Sequence, residues 1–95
     1  MEKIQLLHPE GKKAPTMPGA KYEILSTAFL ACLKKRKRGT FQELEEDVTA
    51  YLQKHKQTLE GKLGWSLFWV SLDLEAHKLI GKDRSISPVR YYSLP

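Results

Sequence analysis

The sequence predicts a mainly α-helical domain that ends in a small β-hairpin. Apolar residues recur every three or four positions in three successive stretches, a pattern typical of amphipathic helices. After the third stretch the pattern changes to two short extended segments separated by a loop that contains serine and proline. A chain of 95 residues, 41% of them hydrophobic, is long enough for one domain with one core.

The first nineteen residues differ in character from the rest. Ile4 to Leu7 predicts a short strand, whereas Pro15, Pro18 and Gly19 oppose regular structure. We therefore assign residues 1–19 to an N-terminal extension that adds a short strand or hairpin, and residues 20–95 to the domain itself.

The first helix is predicted over residues 20–35. Its apolar face consists of Tyr22, Leu25, Phe29, Cys32 and Leu33. Cys32 lies on this core-facing side, and no positioned histidine or carboxylate is evident to activate it. We therefore interpret it as a buried structural thiol.

Gly39 is predicted to end the first helix, and Thr40 with Glu43 forms a capping-box signal that begins a second helix over 41–55. A third helix is predicted over 63–78, with extended segments over 79–84 and 89–94. The third helix is unusual because it has two apolar sides. One side carries Leu63, Leu67, Val70 and Leu74, and the opposite side carries Trp65, Phe68, Trp69, Leu72 and Ala76.

Charge and cysteine content limit the class of protein. The net charge is +5, and the run Lys34 to Arg38 accounts for the entire excess, which favours an anionic partner. A single cysteine, no signal-peptide pattern and no long apolar run predict a cytoplasmic protein that does not contact membranes. The histidines show no metal-ligand spacing, and no cofactor or nucleophile motif is present, so we expect no metal, no cofactor and no enzymatic activity.

Two stretches of sequence suggest a fold family. Residues Leu74 to Ile80 continue from the last helix into the first strand, and Tyr91 to Leu94 end the second strand. With three helices before them, they make residues 20–94 resemble winged helix-turn-helix proteins. The chain also resembles a family of small uncharacterised bacterial proteins through the following residues: His8-Pro9, Tyr22, Gly64-Trp65 and Leu72 to Ala76.

The winged-helix resemblance implies a DNA-binding protein, such as a transcriptional regulator, with the third helix in the major groove of double-stranded DNA and the wing against the backbone. On that basis Lys62 and Ser66 would lie at the start of the recognition helix. The remaining candidate contacts are Lys82, Arg84 and Arg90 on the wing, and Lys35, Arg36 and Arg38 in the basic run. No Arg, Lys, Asn or Gln occurs from Leu63 to His77, so we expect binding chiefly through backbone electrostatics.

The second apolar side of the third helix supports an alternative function. Its residues Trp65, Phe68, Trp69 and Leu72 are of the kind found at interface centres, which predicts a module that binds another protein or a second copy of itself without binding DNA. Two other interpretations remain open. The N-terminal extension or the first helix could cover this side as internal core, or the aromatic rings could stack on single-stranded nucleic acid.

Overall fold

The computed structural model describes residues 3–57 and 62–94. These residues form three helices and five short strands. In chain order the elements are β1 (Lys3–Gln5), β2 (Thr16–Pro18), α1 (Gly19–Arg36), β3 (Arg38–Gly39), α2 (Phe41–Lys54), α3 (Leu63–Ala76), β4 (Ile80–Asp83) and β5 (Arg90–Ser93). The fold is therefore mixed, with three helices and small antiparallel sheets.

The three predicted helices are confirmed, with bounds that agree within two residues. The start of α2 is set by the capping box that the sequence signals. Thr40 Oγ1 accepts a hydrogen bond from the Glu43 backbone N–H at 3.1 Å, and Glu43 Oε1 accepts one from the Thr40 N–H at 2.9 Å. Two N–H groups that the helix itself cannot pair are satisfied in this way.

The prediction that Gly39 ends the first helix is wrong. Helix α1 ends at Arg36, and Lys37 adopts a left-handed conformation with φ 74° while its N–H still bonds the Leu33 carbonyl at 2.7 Å. Gly39 belongs instead to β3, a strand that the sequence did not predict. Two residues carry no strand pattern of their own, and β3 exists because it pairs with β5, some fifty residues away along the chain.

Two antiparallel sheets flank the helices. Strands β1 and β2 form an N-terminal hairpin in which Ile4 pairs with Met17, which confirms the hairpin option for the extension. The second sheet has the order β3-β5-β4, with Gly81 opposite Tyr92. The C-terminal hairpin predicted for 79–84 and 89–94 is thus present, and β3 adds a third strand to it.

One hydrophobic core joins the three helices, both hairpins and the C-terminal sheet. Its buried members are Leu6, Met17, Leu25, Ala28, Phe29, Cys32, Leu33, Leu44, Val48, Leu52, Leu67, Val70, Leu74, Ile80 and Tyr91. Leu6 and Met17 come from the N-terminal hairpin, so the extension is packed onto the helical part. No helix in the two described ranges is both long and apolar enough to cross a membrane.

Candidate functional site

Helix α3 exposes an aromatic surface. Trp65 is 55% exposed and Phe68 is 43% exposed, while the neighbouring Trp69 is half-buried. These three residues are referred to below as the aromatic face. Large apolar side chains with this much exposure are informative when they are adjacent, because contiguous apolar patches usually mark a contact with another molecule.

The aromatic face continues into the core through ring contacts. Trp65 lies edge-to-face with Trp69 at 6.5 Å between centroids, and Trp69 with Phe68 at 6.1 Å. Phe68 contacts Phe41 at 6.1 Å, and Phe41 contacts the buried Tyr91 at 6.2 Å. The indoles are therefore held in fixed positions by a series of packed rings, which lowers the entropy cost of ordering them in a complex.

The N-terminal hairpin covers one side of the aromatic face. The His8 ring contacts Trp69 edge-to-face at 6.2 Å, and the Leu7 N–H bonds Asp73 on the same helix. The interpretation as internal core is therefore correct for part of this surface only. Leu72, predicted to belong to the exposed surface, is buried, so it cannot offer its side chain to a partner.

Asp73 connects the hairpin, α1 and α3. Its carboxyl group is buried, at 1% exposure, and accepts the Leu7 N–H at 2.9 Å on Oδ2 and the Tyr22 hydroxyl at 2.5 Å on Oδ1. His77 Nδ1 lies 3.2 Å from Oδ1. Burial raises the pKa of Tyr22, and the bond to Asp73 raises it further, so the phenol remains a proton donor.

Sequence patterns do not predict this role of Asp73. Its side chain is turned into the protein and not toward solvent. The sequence does place this aspartate between two leucines on a strongly apolar helix. Burying a carboxyl group at such a position costs free energy unless the group is hydrogen-bonded, so the pattern indicates a hydrogen-bonded aspartate.

Of the two DNA contacts predicted at the start of the third helix, only one is accessible. Lys62 is exposed and immediately precedes the helix. Ser66 is 1% exposed and cannot reach a base edge. It lies seven residues, about two turns, before the buried Asp73 and therefore on the same side of α3. That side faces the protein rather than solvent.

The predicted basic residues of the wing form bonds within the chain. Lys82 pairs with Glu75 at 2.9 Å and its side chain is only 10% exposed. Arg84 also pairs with Glu75, at 3.4 Å, but remains 63% exposed. Arg90 donates to the Pro88 carbonyl at 2.7 Å. Lys82 is therefore largely unavailable to a phosphate, and the single negative charge of Glu75 is shared between Lys82 and Arg84.

The basic run is also divided between two roles. Arg36 binds Asp47 through two nitrogens, at 2.7 and 3.0 Å, and pairs with Glu43 at 3.3 Å. These bonds hold the pKa of Asp47 below its usual range. Arg38 pairs with Asp83 at 3.3 Å and lies over the Tyr92 ring.

The other three residues of the run, Lys34, Lys35 and Lys37, are exposed and form no ion pair with any residue in the described part of the chain. Cys32 is buried as expected, and burial raises the pKa of its thiol. Within residues 3–57 and 62–94, no group of three or more His, Cys, Asp or Glu side chains is placed to hold a metal ion.

Comparison with protein families relates the chain to a family of unknown function. The model of a family of unknown function, DUF6958, matches residues 3–91. The chain belongs to this family. The DUF6958 match begins at β1 and ends within β5, so it includes the N-terminal hairpin, all three helices and the aromatic face. No curated protein and no solved structure matched the chain significantly.

Proposed function

We propose that this DUF6958 protein is a winged-helix interaction module that docks a protein partner, or a second copy of itself, on the aromatic face of α3. The winged-helix assignment is supported by three helices followed by the β4–β5 hairpin, with residues 84–89 as the wing loop. It is supported further by β3, which lies between α1 and α2 in the chain and pairs with β5.

The exposure of Trp65 and Phe68 is the observation that favours a protein partner over DNA. In a winged-helix protein that reads DNA, this surface of α3 would present side chains that hydrogen-bond base edges. From Leu63 to Ala76 the helix has no Arg, Lys, Asn or Gln, both of its serines are buried, and its exposed surface presents aromatic carbon. Rigid aromatic side chains of this kind are the usual energetic centre of a protein interface.

A photocrosslinking amino acid at position 65 tests this proposal. We expect it to form a covalent adduct with a protein in the cells that naturally make this chain, because position 65 would be covered in the complex. Mass spectrometry would show whether the adduct is a second copy or another protein. The same crosslinker at Ile86 is the control, since Ile86 has similar exposure, 44%, but lies on the wing loop.

A second variant separates loss of binding from loss of folding. Trp65→Glu places a charge on an exposed position, so we expect an unchanged fold and loss of the complex by light scattering or co-purification. Adduct yields at position 65 no higher than at Ile86, or a complex that survives Trp65→Glu, would contradict the proposal.

A second candidate function is electrostatic binding of double-stranded DNA. It is favoured by the three exposed lysines at the end of α1 and by Arg84, which remains largely exposed. Affinity for a labelled duplex should then fall steeply as salt increases, because phosphate contacts release counterions. Lys34→Gln/Lys37→Gln should weaken binding more than the matched change Lys12→Gln/Lys13→Gln in the N-terminal hairpin loop. Absence of binding at low ionic strength would eliminate this candidate.

A further inference from the structure

A groove lies between α1 and α2, and none of its lining residues belongs to the aromatic face. It is partly open to solvent and has a volume of about 630 Å³. Sites for small organic molecules commonly enclose about 300–1,000 Å³. Six of the residues that line the groove are Ala31, Cys32, Lys35, Ala50, Tyr51 and Lys54.

The floor of the groove, meaning its lining between the two lysines, is mainly apolar. Ala31 and Ala50 line it from the two helices and are exposed to solvent, and their small side chains leave room that larger residues would fill. Cys32 adds a thiol whose raised pKa keeps it uncharged at neutral pH. Tyr51 adds an aromatic ring, which His55 stacks upon at 4.2 Å between centroids. A flat or flexible hydrocarbon group would gain favourable burial here.

The rim of the groove is positive. Lys35 and Lys54 are exposed and form no ion pair with the described residues. Asp47 is the carboxylate that lines the groove, and Arg36 neutralises it through two hydrogen bonds. A ligand in the groove therefore meets two available ammonium groups and an acid whose charge is already compensated, which favours an anion over a cation.

From these features we infer that the α1–α2 groove is a binding site for a small amphipathic anion, an aromatic or alkyl monocarboxylate. Its hydrocarbon part lies on Ala31, Cys32, Ala50 and Tyr51, and its carboxylate pairs with Lys35 or Lys54. This inference does not depend on the proposed function of α3. The two surfaces share no residue, so each can be tested without disturbing the other.

The experiment uses naphthylacetate as the probe and its neutral analogue naphthylacetamide as the comparison ligand. Amide chemical shifts of the full chain are recorded by two-dimensional NMR during titration with each compound. We expect naphthylacetate to shift the amides of residues 31–35 and 50–54 and to leave residues 65–69 unchanged. The neutral amide should bind about tenfold more weakly, because it lacks the charge that the lysines attract.

Two sets of variants test the floor and the rim separately. Ala50→Trp fills the groove from an exposed position and should lower the affinity for naphthylacetate about tenfold without unfolding the protein. Lys35→Glu/Lys54→Glu should lower it by a similar factor. The control Lys34→Glu/Lys56→Glu makes the same change in net charge at neighbouring positions outside the groove and should have little effect.

Several results would overturn the inference. Naphthylacetate at millimolar concentration could fail to shift the groove amides, or could shift those of α3 instead. Equal binding of naphthylacetamide would show that the rim charges play no part. An equal loss of affinity in the control variant would show that the net charge of the protein, and not the groove, attracts the anion.

Discussion

Asp73 illustrates how far the role of a single residue depends on what packs against it. In sequence it is an acid on the third helix, two residues before a second acid, Glu75. In the fold Asp73 is buried and accepts hydrogen bonds from the Leu7 N–H and the Tyr22 hydroxyl, whereas Glu75 pairs with Lys82. The position of Asp73 between two leucines indicates that burial is possible, but its hydrogen-bond partners lie 51 and 66 residues away and have no local signal.

Asp73→Ala should destabilise the protein by about 3 kcal/mol, because it leaves the Leu7 N–H and the Tyr22 hydroxyl, both partly buried, without their shared acceptor. Tyr22→Phe is the matched comparison. It removes one of the two bonds together with its donor and should cost only about 1 kcal/mol. Urea denaturation followed by circular dichroism measures both. A loss below about 0.5 kcal/mol for Asp73→Ala would show that these bonds do not hold the hairpin.

Whether a basic residue is available to a partner also depends on what packs against it in the fold. The count of lysines and arginines predicts an anionic partner, but a count does not show which charges already have partners. Arg36, Arg38 and Lys82 are paired with acids that lie 7 to 45 residues away in the chain. Five of the eight predicted DNA contacts, namely Arg36, Arg38, Lys82, Arg84 and Arg90, form bonds within the chain, and Ser66 is buried. This supports our proposal that the aromatic face is the interaction surface.

At the scale of elements, the helices are the most predictable part of this protein. A helix is stabilised by bonds between residues four apart, and its caps lie within the same few residues, so periodicity and capping signals are local. The start of α2 at Thr40 and Glu43 is the clearest case. Strand β3 shows the opposite behaviour, because its two residues are strand only through pairing with β5.

Thr40→Ala should destabilise the protein by about 1 kcal/mol, because it removes the acceptor for the Glu43 N–H at the start of α2. Thr49→Ala makes the same chemical change inside α2, where the hydroxyl bonds only the Glu45 carbonyl and alanine has the higher helix propensity. We expect Thr49→Ala to be neutral or slightly stabilising. Comparable losses for the two variants in thermal or urea unfolding would contradict a specific capping role.

At the scale of the whole molecule, the N-terminal hairpin is part of the fold and not an appendage. Leu6 and Met17 are buried in the same core as the helices, and the family match begins at residue 3. The sequence predicts a boundary at residue 19 because its composition changes there. Contacts across that point, including the bond from Leu7 to Asp73, are made in three dimensions and leave no mark on composition.

Leu6→Ala should destabilise the entire protein by about 3 kcal/mol, because Leu6 is 1% exposed and its truncation leaves a cavity in the common core. The neighbouring Leu7→Ala is the control, since that side chain is 46% exposed and should change stability by less than about 0.5 kcal/mol. Unfolding should remain a single transition in both variants. A separate early transition for the hairpin in Leu6→Ala would show that it folds independently.

Local sequence patterns were sufficient to place three helices, the capped start of α2, the C-terminal hairpin and the second apolar side of α3. Each of these depends on side chains a few positions apart, so the information is contained in a short window of sequence. The tertiary structure decided which part of the second apolar side of α3 is exposed, how the N-terminal hairpin packs onto the helices, and which charged side chains are paired. Those outcomes depend on contacts between residues distant in the chain, whose partners become defined only when the elements pack together.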